Sequence, residues 1–143
     1  MPEAQRTISI DRPVEAVFAF FTDPANDPKW RPHVKEIAAQ GPVAVGITIH
    51  QVVAGPGGRG IPADIEVTAY EPPTRYAFTV TSGPVRPAGE YRFTTSGTAT
   101  EVTFMLRAQL SGVKKVVMSK PAQNSMTGEM AALDTAKALI ESV

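Results

Sequence analysis

The chain contains no cysteine. Disulfides, cysteine nucleophiles and thiolate-bound zinc or iron–sulfur clusters are therefore excluded. Histidine is nearly as scarce: His33 and His50 are the only two, which argues against a histidine-based metal site, and no cofactor is expected. Neither sign of charge dominates. Lys plus Arg total 14 and Asp plus Glu total 14, for a formal net charge of zero. That balance argues against a nucleic-acid partner gripped through phosphate neutralisation. No stretch approaches the roughly eighteen apolar residues of a membrane span. The opening Met-Pro-Glu-Ala-Gln-Arg has no apolar run of the kind a secretory signal needs. The expectation is a cytoplasmic protein, monomer or homodimer.

What is present suits one domain over residues 1–143. Hydrophobic residues make up 43% and charged residues 20%, the ordinary balance of a folded globule with a single core. The longest pattern lies at the end, from Lys114 to Val143. There Met126, Met130, Leu133, Ala136 and Ile140 recur in steps of three and four, the spacing of one helical stripe. Lys120, Glu129, Asp134, Lys137 and Glu141 are expected on the wet face. Pro121 removes one backbone donor and is expected to kink or restart the helix.

The chain before it reads as strands. Arg6–Asp11 alternates Ile8 and Ile10 on one face. Pro13 then opens a helix carrying Val14, Val17, Phe18 and Phe21 at helical spacing, and Glu15 places negative charge in its first turn. Asp23-Pro24 ends it, and Ala25–Trp30 makes a second short helix or a run of turns. Strands follow over Val34–Ala39, Gly46–Ala54, Pro62–Tyr70, Arg75–Ser82, Gly89–Thr95 and Glu101–Leu110. The last alternates Val102, Phe104, Leu106 and Ala108 with polar residues, the mark of an antiparallel sheet covered on one face. The thirteen prolines fall almost entirely at element edges or in loops. This pattern predicts an α+β fold: a seven-stranded antiparallel sheet wrapped around a long C-terminal helix, with two short helices after strand 1. No other element is long enough to cover the apolar face.

Several stretches resemble a known group. Ile8-x-Ile10-x-x-Pro13-x-x-Val17 leads into a helix ending at Asp23, and Trp30-x-Pro32-x-Val34 follows. Tyr70-Glu71-Pro-Pro-Thr-Arg75-Tyr76 forms the turn before the fifth strand, and Thr100-x-Val102 follows a tight turn. Together with the long helix they resemble the helix-grip fold of the SRPBCC superfamily, which includes the START and birch-pollen-allergen-like proteins. The polyketide cyclase/dehydrase group within it is the nearest in pattern. The resemblance covers nearly the whole chain. Its motifs are structural, and the group offers no shared catalytic signature to carry over residue by residue. It implies a cavity between sheet and long helix that accommodates a lipid, a sterol, a polyketide or an aromatic compound.

Candidate lining residues are Trp30, Gln51, Tyr76, Phe78, Tyr91, Phe93, Phe104, Met126 and Met130. Trp30 either stacks on a flat ligand or caps the core. Gln51 shares the apolar face of its strand, so it orients a polar group of a ligand, pairs with Tyr76 or Tyr91, or reaches water at the strand end. Tyr76 and Tyr91 offer hydroxyls inside a greasy hollow or at its rim. Met126 and Met130 suit a space whose contents vary, and equally suit an ordinary core. His33 either moves a proton or sits at the surface, and the surface is the expected place. By alternation His50, Asp64, Glu66, Glu101 and Arg107 face outward. The loop Gly55-Pro-Gly-Gly-Arg-Gly60 lacks a phosphate-loop pattern and joins two strands, so its glycines are expected to make a mobile hairpin tip; the resemblance to the helix-grip fold implies that such a tip can sit at the cavity mouth, where Arg59 could meet an anionic ligand. The function expected is binding of a small apolar or aromatic molecule. The alternatives are a cofactor-independent cyclase or dehydratase using Tyr76, Tyr91, Gln51 and His33, or an interaction module with a vestigial cavity.

Overall fold

The computed structural model describes residues 2–83 and 85–143. Pro84, in the predicted connector after the Arg75–Ser82 strand, lies outside the described residues. The elements run β1 (Glu3–Ile10), α1 (Val14–Thr22), α2 (Asp27–Trp30), β2 (Val34–Ala39), β3 (Thr48–Ala54), β4 (Gly60–Pro62), β5 (Ile65–Glu71), β6 (Arg75–Val80), β7 (Ala88–Ser96), β8 (Ala99–Arg107) and α3 (Gly112–Glu141). The sheet path is β1-β8-β7-β6-β5-β3-β2, with the short β4 added beside β3, and the paired strands are antiparallel throughout.

Local chemistry explains most boundaries. Pro13 stands at the N-cap of α1 with extended backbone. The Asp23 carboxylate accepts from the Ala25 N–H and starts a 3-10 turn over Pro24–Asn26 that runs into α2. The segment predicted as one strand, Pro62–Tyr70, is divided. Gly60–Pro62 pairs with Val52–Ala54, and pairing with β6 begins only at Ile65. At the break, the Asp64 N–H donates to the Ser82 hydroxyl. The last strand stops at Arg107, short of the predicted Leu110. The final helix starts at Gly112, whose φ of 61° is a conformation glycine adopts at little cost.

Alternation along the strands delivers one face to the core. Ile8, Ile10, Ile49, Ile65, Val67, Tyr76, Tyr91, Phe93, Val102, Phe104 and Leu106 join Met126, Met130, Leu133, Ala136 and Ile140 of α3 in a single cluster. At about 25 cal/mol per Å² of apolar surface buried, that stripe holds the later turns of α3 to the sheet. A set of polar clasps adds to it. The Arg6 guanidinium donates to the Met130 carbonyl at 3.0 Å and to Asp134 at 2.6 Å. Gln123 exchanges two bonds with the Glu3 backbone. Lys137 donates to the Ser9 carbonyl, and Arg12 to the carbonyls of Glu141 and Val143. The first strand and the last helix are thus laced together along their length.

At Pro121 a kink or a restart of α3 is expected. The helix is continuous across Pro121 and does not restart there. Its first third is little covered: Val113, Val116 and Val117 are 80%, 85% and 59% exposed. Ala122 is the first buried residue of the helix.

Candidate functional site

The middle of α3 carries a carboxylate on its core side. Glu129, expected on the wet face, is only 8% exposed. It lies one turn beyond Met126 and beside Met130, so the same periodicity that buries the methionines buries it. A buried carboxylate must find partners, and α2 with the turn after it supplies them. Arg31 donates from Nε to Glu129 Oε2 and from Nη2 to Oε1, both at 2.8 Å, a fork that matches the carboxylate edge to edge. Nη1 of the same guanidinium reaches Asp27 at 3.0 Å and the Gln51 side-chain oxygen at 3.3 Å. His33 completes the group, its Nε2 2.5 Å from Glu129 Oε1.

Two expectations are corrected here. His33 is not a plain surface residue: it turns toward the interior because the Glu129 carboxylate is there to receive it. Gln51 bonds to Arg31 rather than to Tyr76 or Tyr91, because the guanidinium outcompetes a neutral hydroxyl for its oxygen. Sequence reasoning does not single out Arg31, Asp27 or Glu129. The i,i+4 pair Asp27–Arg31 is the available signal, whereas Glu129 has none until the helix is docked.

The cluster's electrostatics are uneven. Burial pushes the Asp27 carboxyl up to about 6, and the negative Glu129 and Asp23 add to the rise; Arg31 opposes it. Burial alone would raise Glu129 too. The Arg31 charge, the His33 hydrogen bond and the Arg31 hydrogen bonds outweigh it and bring the carboxyl down to about 2. Burial works against the Arg31 cation, but the carboxylates around it raise its pKa. Glu129 and Arg31 are therefore a fixed ion pair, and Asp27 is the group that changes charge near neutrality. Among the described residues no group of three or more His, Asp or Glu is arranged to hold a metal ion; the charge at the centre is the guanidinium.

The predicted residues surround this cluster. Trp30 is 1% exposed; its ring stands edge-on to Phe21 at 5.4 Å, and the Arg31 guanidinium lies 6.0 Å from its centroid. Its indole N–H is fully buried and has no partner among the described residues. Tyr76 and Tyr91 are opposite each other in the β6–β7 register, with rings stacked 6.0 Å apart. Tyr91 also stacks on Phe104 at 4.2 Å and 2°. Burial raises both phenols further above their usual range, and the nearby Asp27 charge adds to it. Phe93, Met126 and Met130 are buried, while Phe78 is half-buried. The Phe78 ring lies flat on Gly89, where a Cβ would come within 2.3 Å of it. Gln51, Trp30, Tyr76 and Tyr91 thus gather around Arg31, and Phe78 stands toward the end of the sheet where β8 ends and α3 begins. His50, outside, pairs with Asp64 at 2.7 Å; Glu66, Glu101 and Arg107 are exposed.

Two open clefts mark the surface. One of about 580 Å³ lies between α1 and β2, lined by Phe18, Thr22, Ile37, Ala39, Val43 and Tyr70, and includes none of the predicted lining residues. The other, of about 430 Å³, runs past Arg75, Arg92 and Phe93.

Comparison with known proteins fits this architecture. The family description "Polyketide cyclase / dehydrase and lipid transport" matches residues 1–141. The fold is similar to TTHA0849 from Thermus thermophilus, at 17% identity and TM-score 0.81 over 99% of this chain and 98% of that one. It is similar to Ara h 8.0201, at 11% identity and TM-score 0.76 over 99% and 98%. It is also similar to the di-domain ARO/CYC StfQ from the steffimycin biosynthetic pathway, at 13% identity and TM-score 0.79 over 98% of this chain and 51% of that one. No curated protein sequence matches. With the helix-grip architecture and a family match over residues 1–141, the chain belongs to the polyketide cyclase/dehydrase and lipid transport family of the SRPBCC superfamily.

Proposed function

We propose that the protein binds a small hydrophobic or aromatic molecule, lipid-like or polyketide-like, between the sheet and α3. The observation that carries this reading is the unpartnered, fully buried indole N–H of Trp30 beside the Arg31 cluster. An unmade bond of this kind costs about 1–3 kcal/mol, and native structures keep few of them. A ligand oxygen would satisfy it, and the Tyr76 and Tyr91 hydroxyls add donors of the same kind. The surrounding walls are aromatic and apolar, so the ligand that fits is a greasy or flat body carrying carbonyl or phenolic oxygens. Phe78, half-buried on the glycine backbone, and the flexible Met126 and Met130 are the side chains that give way on entry.

Trp30 is the chain's single tryptophan, so its emission reports on this interior alone. The test is a fluorescence titration with fatty acids, sterols and aromatic polyketides, paired with native mass spectrometry of the protein as purified. Saturable change with at least one class, weakened about tenfold or more by Tyr91→Phe or Gln51→Leu, is the expected result. A flat titration across all classes, with no companion molecule in the spectrometer, would sink the reading.

One observation favours a second reading, a cyclase or dehydratase. Asp27, with its carboxyl near 6, exchanges a proton readily at neutral pH. It sits where its charge is felt by both tyrosines. In such an enzyme it would serve as the acid or base while the walls hold a flexible substrate in one fold. Asp27→Asn would then abolish turnover of a poly-β-keto substrate and leave binding intact. Turnover unchanged by that variant would remove the role.

A further inference from the structure

The amphipathic stripe of α3 reverses along its length. At about 100° per residue, Ala122, Met126, Met130 and Leu133 face the sheet, and Val113, Val116 and Val117 lie about half a turn away, facing outward. These valines are 80%, 85% and 59% exposed. A single exposed valine is ordinary, but three on one helical face form a patch that the fold itself does not cover. The charge around them is also one-sided. From Ala108 to Gly128 the sequence holds Lys114, Lys115 and Lys120 and no acidic residue, in a chain whose net charge is zero. Lys114 flanks the valine stripe, and Lys120 continues it one turn on. Lys115 points the other way.

The same end of the sheet collects further cations. The β3–β4 hairpin carries Arg59, and Lys35 donates to Gly58 of that hairpin. The β6–β7 connector carries Arg86. Of the acids there, Asp64 pairs with His50, Glu3 with Arg107, and Glu36 is exposed beside Lys35. Phe78 and Gly89 stand at this end too, because β7 begins at Ala88, opposite Arg107 of β8.

We infer that the first third of α3 is a docking surface for an anionic lipid bilayer. Val113, Val116 and Val117 enter the headgroup–acyl boundary, and Lys114 and Lys120 meet lipid phosphates, with Arg59 and Arg86 behind them. This pairing of a modest apolar stripe with basic flanks is what reversible attachment to a membrane surface requires. The inference concerns the outer face of α3 and holds whatever occupies the interior.

The test is sedimentation of the full chain with vesicles of phosphatidylcholine alone and of phosphatidylcholine with about 30% phosphatidylglycerol, a strongly anionic surface. Binding to the anionic vesicles only is expected, falling as salt shortens the Debye length. Lys114→Gln with Lys120→Gln should weaken it by on the order of twentyfold, from about fivefold per lysine. Val113→Ser with Val116→Ser and Val117→Ser should abolish it. Unchanged melting temperatures are the control, expected because these side chains touch no core. Equal binding to both vesicle types, absence of binding, or binding untouched by the serine variant overturns the inference. So does a concentration-dependent dimer in size-exclusion chromatography that the serine variant dissolves, which would give the stripe to a second copy of this chain.

Discussion

Arg31 and Glu129 share two parallel 2.8 Å hydrogen bonds, and through them the end of a four-residue helix holds the centre of a thirty-residue one. Removing either partner leaves the other buried and charged. Glu129→Ala or Arg31→Ala should therefore lower unfolding free energy by about 3–5 kcal/mol. The double variant Arg31→Met with Glu129→Leu should recover part of that loss, since apolar side chains of similar volume need no partner there, while Asp27 and Gln51 lose the Arg31 donor. Urea unfolding of the three proteins measures this; a double variant as damaged as the singles would refute it.

The pH dependence has two limbs of opposite sign. Asp27 titrates near 6 when folded and near its ordinary 3.8 when unfolded. The folded state therefore holds its proton more tightly, and this contribution is complete below about pH 4 and is lost as pH rises through about 6. It amounts to on the order of 3 kcal/mol, at about 1.36 kcal/mol per decade. Asp27→Asn should gain on the wild type across that window, reaching a constant offset above it. A pH-independent difference between the two would contradict the assignment.

Glu129 supplies the other limb. Its carboxyl, brought down to about 2 from an ordinary 4.5, stabilises the fold above about pH 4.5. That stability is lost as pH falls toward about 2. Glu129→Gln should flatten the acid limb of a melting-temperature profile, even though the variant is less stable at neutral pH. An acid limb as steep as the wild type's would place its origin elsewhere.

Gly89 and Phe78 form a steric lock. A methyl group at position 89 would meet the Phe78 ring at 2.3 Å, so Gly89→Ala should force the ring outward at a cost of about 1–3 kcal/mol. Phe78→Leu in the same chain should relieve most of it. If the interior takes up a ligand past this ring, Gly89→Ala should also speed ligand release, read by stopped-flow Trp30 fluorescence.

Along α3, backbone amides from 113 to 120 should exchange with solvent faster than those from 126 to 140. Pro121 has no N–H to close the turn behind it, and no residue of the helix before Ala122 is buried. Pro121→Ala should slow exchange in the first segment without changing the second. Uniform protection along the helix would oppose this.

Much of the fold is readable in the sequence because alternation and helical spacing are strong local signals. Val34–Ala39 and the α1 stripe of Val17, Phe18 and Phe21 are found where the pattern places them. The division of Pro62–Tyr70 escapes because the bend at Asp64 depends on Ser82, a partner from beyond the next strand. The apolar residues of the interior are legible for the same periodic reasons, whereas its polar centre is not. Asp27, Arg31, His33 and Glu129 come from α2, the turn after it and α3, and only the docking angle brings them together. A glutamate on a helix reads as wet until an arginine from elsewhere is known to face it.

The lacing of β1 to α3 also dictates when the molecule can close. Glu3, Arg6, Ser9 and Arg12 find their partners at Gln123, Met130, Asp134, Lys137 and Glu141, and among the described residues the one strand beside β1 is β8. During synthesis the first strand therefore emerges with nothing to pair with. Its sheet pairing is possible once β8 has been made, and its polar clasps only once α3 has. Shortening α3 from its end would strip Arg12 and Ser9 of their partners first, while the pairing of β1 with β8 remains.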